Sequence, residues 1–147
     1  MALLEGPAGV IPLTGQGHAI HAANALFRPD LGTLGHRLAY MRFFCGAIRA
    51  EQRFLVVDGG EDLPWRDDAD PALRAQAARL IRPLGLATDA AGYPRPHGTV
   101  LHGTALFTCN FQLDAGGMVH MTGDQRLLED LPVRTETFDG PLRYEAG

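Results

Sequence analysis

Residues 14–27, TGQGHAIHAANALF, hold the first side chains able to do chemistry: His18 and His21, three residues apart, behind Gly15 and Gly17. Two imidazoles on one helical face offer two nitrogen ligands for a metal, or two hydrogen-bonding groups for a polar or anionic ligand. A catalytic zinc site needs a third protein ligand, and the H-E-x-x-H pattern of zinc hydrolases is absent. The pair is therefore assigned to ligand binding and no residue is assigned to a metal; a metal hydrolase through His18 and His21 is the third of three readings. Glycines ahead of a helix also suit an anion at its N-terminus, although one G-x-G without a preceding strand is no dinucleotide fingerprint. An ordinary helix carrying two histidines satisfies the same residues.

A second set lies in TVLHGTALFTCNFQL, residues 99–113, and MVHMT, residues 118–122. Thr104, Thr108, Asn110 and Gln112 fall on one side of an expected strand, and His120 joins them from the next. This uncharged stripe reads as the wetted side of an antiparallel sheet, as a dimer interface, or as the wall of a pocket in which His120 works as acid or base. Asp58, at the end of a strand beside Gly59 and Gly60, is the carboxylate available to partner it. Trp65, the single tryptophan, either covers the core or anchors a ligand from the DGGEDLPW loop. Pairing Asn110 with His120 places Val119 and Met121 on the Phe111 side, and leaves His102 and His120 roughly 27 Å apart, too far to share an ion.

Whole reaction classes are excluded. The chain has no lysine and no serine, so its 13 basic side chains are all arginine. Schiff-base chemistry, the G-x-x-x-x-G-K phosphate loop and every serine-nucleophile arrangement are absent with them. A net charge of −4 with scattered arginines disfavours a nucleic-acid surface. Cys45 and Cys109 sit in apolar stretches and read as small core residues. DDAD, residues 67–70, lacks the calcium-loop spacing and reads as helix capping. No cofactor is implied.

These residues need elements to hold them. Asp70 as N-cap, Pro71 at the first helical position and Leu73, Ala77, Leu80 and Ile81 at helical spacing predict a helix over 70–82. Alternation predicts one long strand over 99–113, bent at Gly103, with its Phe107 side on that helix. RFLVVDG, residues 53–59, predicts a buried strand. Residues 33–48 fit a helix through Leu34, Leu38, Met41 and Cys45, whereas the aromatic run from Tyr40 to Phe44 favours a strand and a hairpin through RAEQ. VRTETF and LRYE suggest edge strands. Thr14 is the expected N-cap of the N-terminal helix.

The expectation is a single domain over 1–147 of α+β class: a curved antiparallel sheet, made of a meander over 99–145 and a hairpin near 40–58, packed on the 70–82 helix and an N-terminal helical segment. Arginine-only, alanine-rich composition points to a GC-rich bacterial genome. The opening stretch carries Glu5, Pro7 and Pro12 rather than a basic start and an apolar run, and the expected compartment is the cytoplasm. The first functional reading is a binding domain for a small molecule or a protein partner, a homodimer, with no nucleic-acid or membrane partner. The alternative is a metal-independent isomerase, cyclase or dehydratase using His120 and Asp58.

Overall fold

The computed structural model describes residues 2–6, 9–13, 16–48, 54–139 and 142–146. In chain order these form β1 (Ala2–Gly6), β2 (Gly9–Leu13), α1 (Gly17–Phe27), α2 (Leu34–Ala47), β3 (Phe54–Val57), α3 (Pro71–Leu80), β4 (Gly85–Thr88), β5 (Pro94–His102), β6 (Ala105–Leu113), β7 (Val119–Leu128), β8 (Thr135–Asp139) and β9 (Leu142–Ala146). The fold is α+β. Its five-stranded antiparallel sheet runs β3-β5-β6-β7, with β4 also paired to β5. β1 pairs with β2, and β8 with β9, as separate two-stranded ladders, so the meander is β5 to β7 and does not extend to residue 145. Thr14, Gly15 and the RAEQ stretch lie outside the described residues. Among those described, no helix is long and apolar enough to cross a membrane.

The helix expected at 70–82 spans Pro71–Leu80, with the Asp70 carboxylate accepting from the Ala72 amide at 2.9 Å. Residues 34–47 are helical throughout, which corrects the hairpin near 40–58: only β3 of that pair exists. Thr33 caps α2 by accepting from the His36 amide. Tyr40, Met41, Phe44 and Cys45 are its buried positions. They form two adjacent i, i+4 ridges, so Tyr40, Met41 and Phe44 of a run that mimics a strand lie on the inner side of a helix, and Arg42 and Phe43 on its outer side.

The long strand expected over 99–113 is a hairpin. Gly103 has φ 60°, a conformation that glycine adopts without steric cost, and β5 turns there into β6, with His102 opposite Ala105 and Val100 opposite Phe107. Alternation survives a tight turn, so periodicity alone does not reveal it. The β6–β7 register also differs from the expected one. His120 faces Gln112, while Asn110 faces Gly123. Asp114 tightens the connecting turn by accepting from the Gly116 and Met118 amides at 2.9 and 2.8 Å. The shift of two keeps Val119 and Met121 on the Phe111 side.

Neighbouring residues of each strand enter different cores. Val56, Val100, Phe107, Cys109 and Phe111 pack with Ile20 of α1 and Met41 and Phe44 of α2. Leu55, Val57, Leu101 and Leu106 pack with Leu73 and Ala77 of α3, joined by Leu63, Leu131 and Val133. Phe107 and Phe111 therefore lie against α1 and α2, and not against α3 as the sequence suggested. Leu106, the one apolar residue breaking the polar side of the strand, is the side chain that belongs to the α3 core. Between the layers, Thr99 is fully buried, its hydroxyl accepting from the Arg82 amide at 2.8 Å and donating to the Arg82 carbonyl at 3.1 Å.

Leu106→Ala is expected to lower unfolding free energy by about 2–5 kcal/mol, the range for emptying a fully packed leucine site, whereas Asn110→Ala, at an exposed position of the same strand, should change it little. Urea denaturation of the two variants checks this.

Candidate ligand-binding cleft

α1, α2 and the sheet do not close completely. Between them lies a cleft of about 290 Å³, its rim carrying His18 and His21 of α1. Phe44 and Cys45 of α2, with Ile48 just beyond it, form one wall; Phe54, Phe111, Val119 and Met121 of the sheet form the other. Every apolar lining residue belongs to, or directly follows, a helix or strand rather than a long loop, which gives the cleft a fixed shape.

A small polar clamp sets the separation of those walls. The Asn24 amide of α1 donates to the Tyr40 hydroxyl at 2.7 Å and to the Gly117 carbonyl at 3.2 Å. Tyr40 of α2 in turn donates to the same carbonyl at 2.5 Å. Burial pushes the Tyr40 hydroxyl above its ordinary pKa, with the Asn24 hydrogen bond opposing and the Asp114 charge adding to the rise; it stays a donor. Gly117 has φ 85°, and a Cβ there would lie 2.7 Å from the Asn24 amide nitrogen and 3.0 Å from the Tyr40 oxygen. The turn can approach both helices only because that residue is glycine.

His21, one turn before Asn24, stacks on Phe44 with ring centroids 5.4 Å apart. Its Nε2 accepts a long hydrogen bond, 3.5 Å, from the Val119 amide. An accepting Nε2 places the proton of the neutral ring on Nδ1, so Nδ1 is the remaining donor. His18 is exposed beside it at the start of α1, whose N-cap Gln16 makes no side-chain capping bond. The structure thus brings His18 and His21 together at one opening. Among the described residues, no group of three His, Cys, Asp or Glu side chains has the arrangement to hold a metal ion.

The remaining expected site residues scatter. His120 is exposed on β7. Asp58 follows β3, so β5 and β6 stand between them, and with the three-residue offset along β6 the separation is roughly 17 Å. Asp58 is already engaged: its carboxylate pairs with Arg42 of α2 and accepts from the Leu84 amide at 2.9 Å. Burial opposes its ionisation, but the Arg42 hydrogen bond, the Leu84 amide and the Arg42 charge outweigh it and hold the carboxyl below its ordinary pKa. A carboxylate so held is a weak base and a strong tie between α2, β3 and the lead into β4.

Thr108 and Gln112 are half-buried and Asn110 exposed on the side of the sheet away from the cleft; Thr104 sits in the β5–β6 turn, its carbonyl accepting from the Leu131 amide at 3.0 Å. None of these four, nor His120, lines the cleft. Trp65 lies on the α3 side, its indole donating to the Gly60 carbonyl at 3.0 Å beneath the Arg74 guanidinium at 5.6 Å. It packs; it does not meet the cleft.

The residues that sequence reasoning missed are the apolar ones: Phe44, Cys45, Ile48, Phe54, Phe111, Val119 and Met121. Phe44 and Ile48 one turn apart, and a strand apolar enough for two core layers, were the available signals. Cys45 is a buried, unbonded thiol, pushed up to about 12 by burial and by neighbouring Cys109. Burial and the nearby Asp124 push Cys109, also free, up to about 11. Cys45 acts as lining, and neither thiol is a nucleophile at neutral pH.

Two measurements follow. Gly117→Ala should cost about 1–3 kcal/mol through the forced left-handed backbone and the displaced clamp, while Gly116→Ala, where a Cβ meets only Asp114 Oδ1 at 3.4 Å, serves as the mild control in thermal unfolding. For Asp58, the folded pKa lies below the unfolded one, so its stabilisation is complete above the unfolded value and is lost as pH falls through the folded value. Asp58→Asn should therefore destabilise at pH 6, and the gap to wild type should close below about pH 4.

Comparison with protein-family models, with curated proteins and with solved structures finds no match for this chain, which leaves the geometry of the cleft to carry the functional reading.

Proposed function

We propose that this chain binds a small, largely apolar molecule bearing one hydrogen-bonding group, held between α1, α2 and the sheet with that group at His18 and His21. The observation that carries this reading is the conjunction of a continuous apolar lining with two imidazoles at its rim. Ligand sites share that composition: mostly apolar walls and a few convergent polar groups that fix orientation. At about 290 Å³ the cleft lies at the small end of the range for such sites, which selects a ligand of one or two rings, or a short chain.

Two other depressions are less suited. One of about 420 Å³ lies beside Leu31, Arg37 and Tyr93, and its carboxylate, Asp114, is engaged with turn amides. The other, about 380 Å³ around Trp65 and Arg74, is the more open, and its two principal groups are already stacked on each other. Acid–base chemistry by His120 with Asp58 has no support in their separation, and binding without chemistry is the reading kept.

Met121 lines the cleft and is 48% exposed, so it tests the site without testing the core. 2-Naphthol is expected to raise the melting temperature of the wild type. Met121→Glu should leave the ligand-free melting temperature within a degree or so and weaken 2-naphthol binding about ten-fold, as a charge placed in an apolar wall requires. Equal binding by the variant, or no shift in the wild type, contradicts the assignment.

A further inference from the structure

We propose that the preferred ligand is a medium-chain carboxylate lying lengthwise along the sheet, its head at His18 and His21 and its tail over Phe107. This rests on the cleft being the binding site, and adds the shape, charge and direction of what it takes.

Shape comes from what lies beyond Met121. A second depression, about 220 Å³, shares Phe54 and Met121 with the first and continues over Phe107 and Cys109 to His102 and Asp124. The two form one trough. Its floor is β6, where Phe111, Cys109 and Phe107 follow one another on the same side; its outer edge is β7 from Val119 to Asp124, about 16 Å of strand. Leaving Thr122 out of the pairing keeps that edge in step: Met121 faces Phe111 and Asp124 faces Cys109. A compact ring system occupies one half of such a trough, and an extended chain occupies both.

Direction comes from the two ends. The α1 end carries two imidazoles and, behind them, the positive end of an eleven-residue helix. The far end carries Asp124, which has no ion pair among the described residues. Arg126 is close by, but its guanidinium lies 5.7 Å over the Phe107 ring and pairs with Glu129 at 2.8 Å. His102, between them, lies against Phe54 with ring centroids 6.0 Å apart. A carboxylate thus meets ring N–H donors and a helix N-terminus at one end, and at the other Asp124 beside the internally paired Arg126 and Glu129, a net negative set that favours a cationic head instead. Phe44, Phe54 and Met121 between the ends exclude a second charge from the middle.

The test uses the whole chain labelled with ¹⁵N and with ¹³C in the methionine methyls, titrated with decanoate below its micelle concentration, and with decylamine and 2-naphthol alongside. Decanoate is expected to shift the Met121 methyl together with the amides of His18 at one end and Cys109 and Asp124 at the other, and to bind about ten-fold more tightly than decylamine. His18→Gln, at an exposed position, should erase that preference. If 2-naphthol moves Met121 while decanoate leaves Cys109 and Asp124 unmoved, the elongated ligand is overturned and the cleft stands. If decylamine binds as well as decanoate, the head assignment is overturned. If neither probe moves Met121, both this inference and the cleft reading fall.

Discussion

The carbonyl oxygen of Gly117 accepts from two helices at once, and the rest of the site depends on that shared acceptor. Tyr40 brings α2 to it and Asn24 brings α1. Buried polar groups stay only where their hydrogen bonds are made, so the three groups hold one arrangement. Without the clamp, the apolar inner side of α1 would be free to settle further onto Phe111 and Val119 and the cleft would fill. A polar contact at one end of the helix therefore preserves an apolar opening at the other.

A second tie acts two residues further along α2. Asp58 joins Arg42 to the Leu84 amide, fastening the helix to the end of β3 and the start of β4. These two ties fix α2 over the sheet, and the turn that follows them, from Phe44 to the half-buried Ile48, serves as core and as wall of the cleft at once. The sheet matches this on its own side. Phe111 is nearly buried, at 3%, whereas Met121 across the ladder is 48% exposed; the boundary of the core crosses between β6 and β7, and the trough follows it.

Local rules found the elements whose evidence is local. Asp70 and Pro71 announce α3 by capping chemistry, and alternation through Phe107, Cys109 and Phe111 announces a strand. Three features were illegible for physical reasons. The turn at Gly103–Thr104 preserves alternation, so a hairpin and a long strand share one pattern. The run from Tyr40 to Phe44, aromatic but for Met41 and Arg42, fits both conformations, and Thr33, the cap that decides it, lies well upstream. Which side of the sheet is enclosed depends on α1 and α2 returning over it, a contact across many residues that periodicity does not encode. That last point puts the cleft on the apolar side, away from the polar stripe at Thr108, Asn110 and Gln112 and from His120 and Asp58. His18 and His21 lie side by side because spacing on one helix is a local property, but the Phe44 and Val119 groups that contact His21 are not.

The central claim is that the enclosed, ligand-accepting side of the sheet is the one bearing Phe111 and Met121. Intermolecular nuclear Overhauser effects from toluene, the simplest apolar probe, measure this directly. The account requires contacts from the toluene ring to the side chains of Phe44, Val119 and Met121. Contacts to Asn110, Gln112 or His120 instead, or none to either side of the sheet, would contradict it.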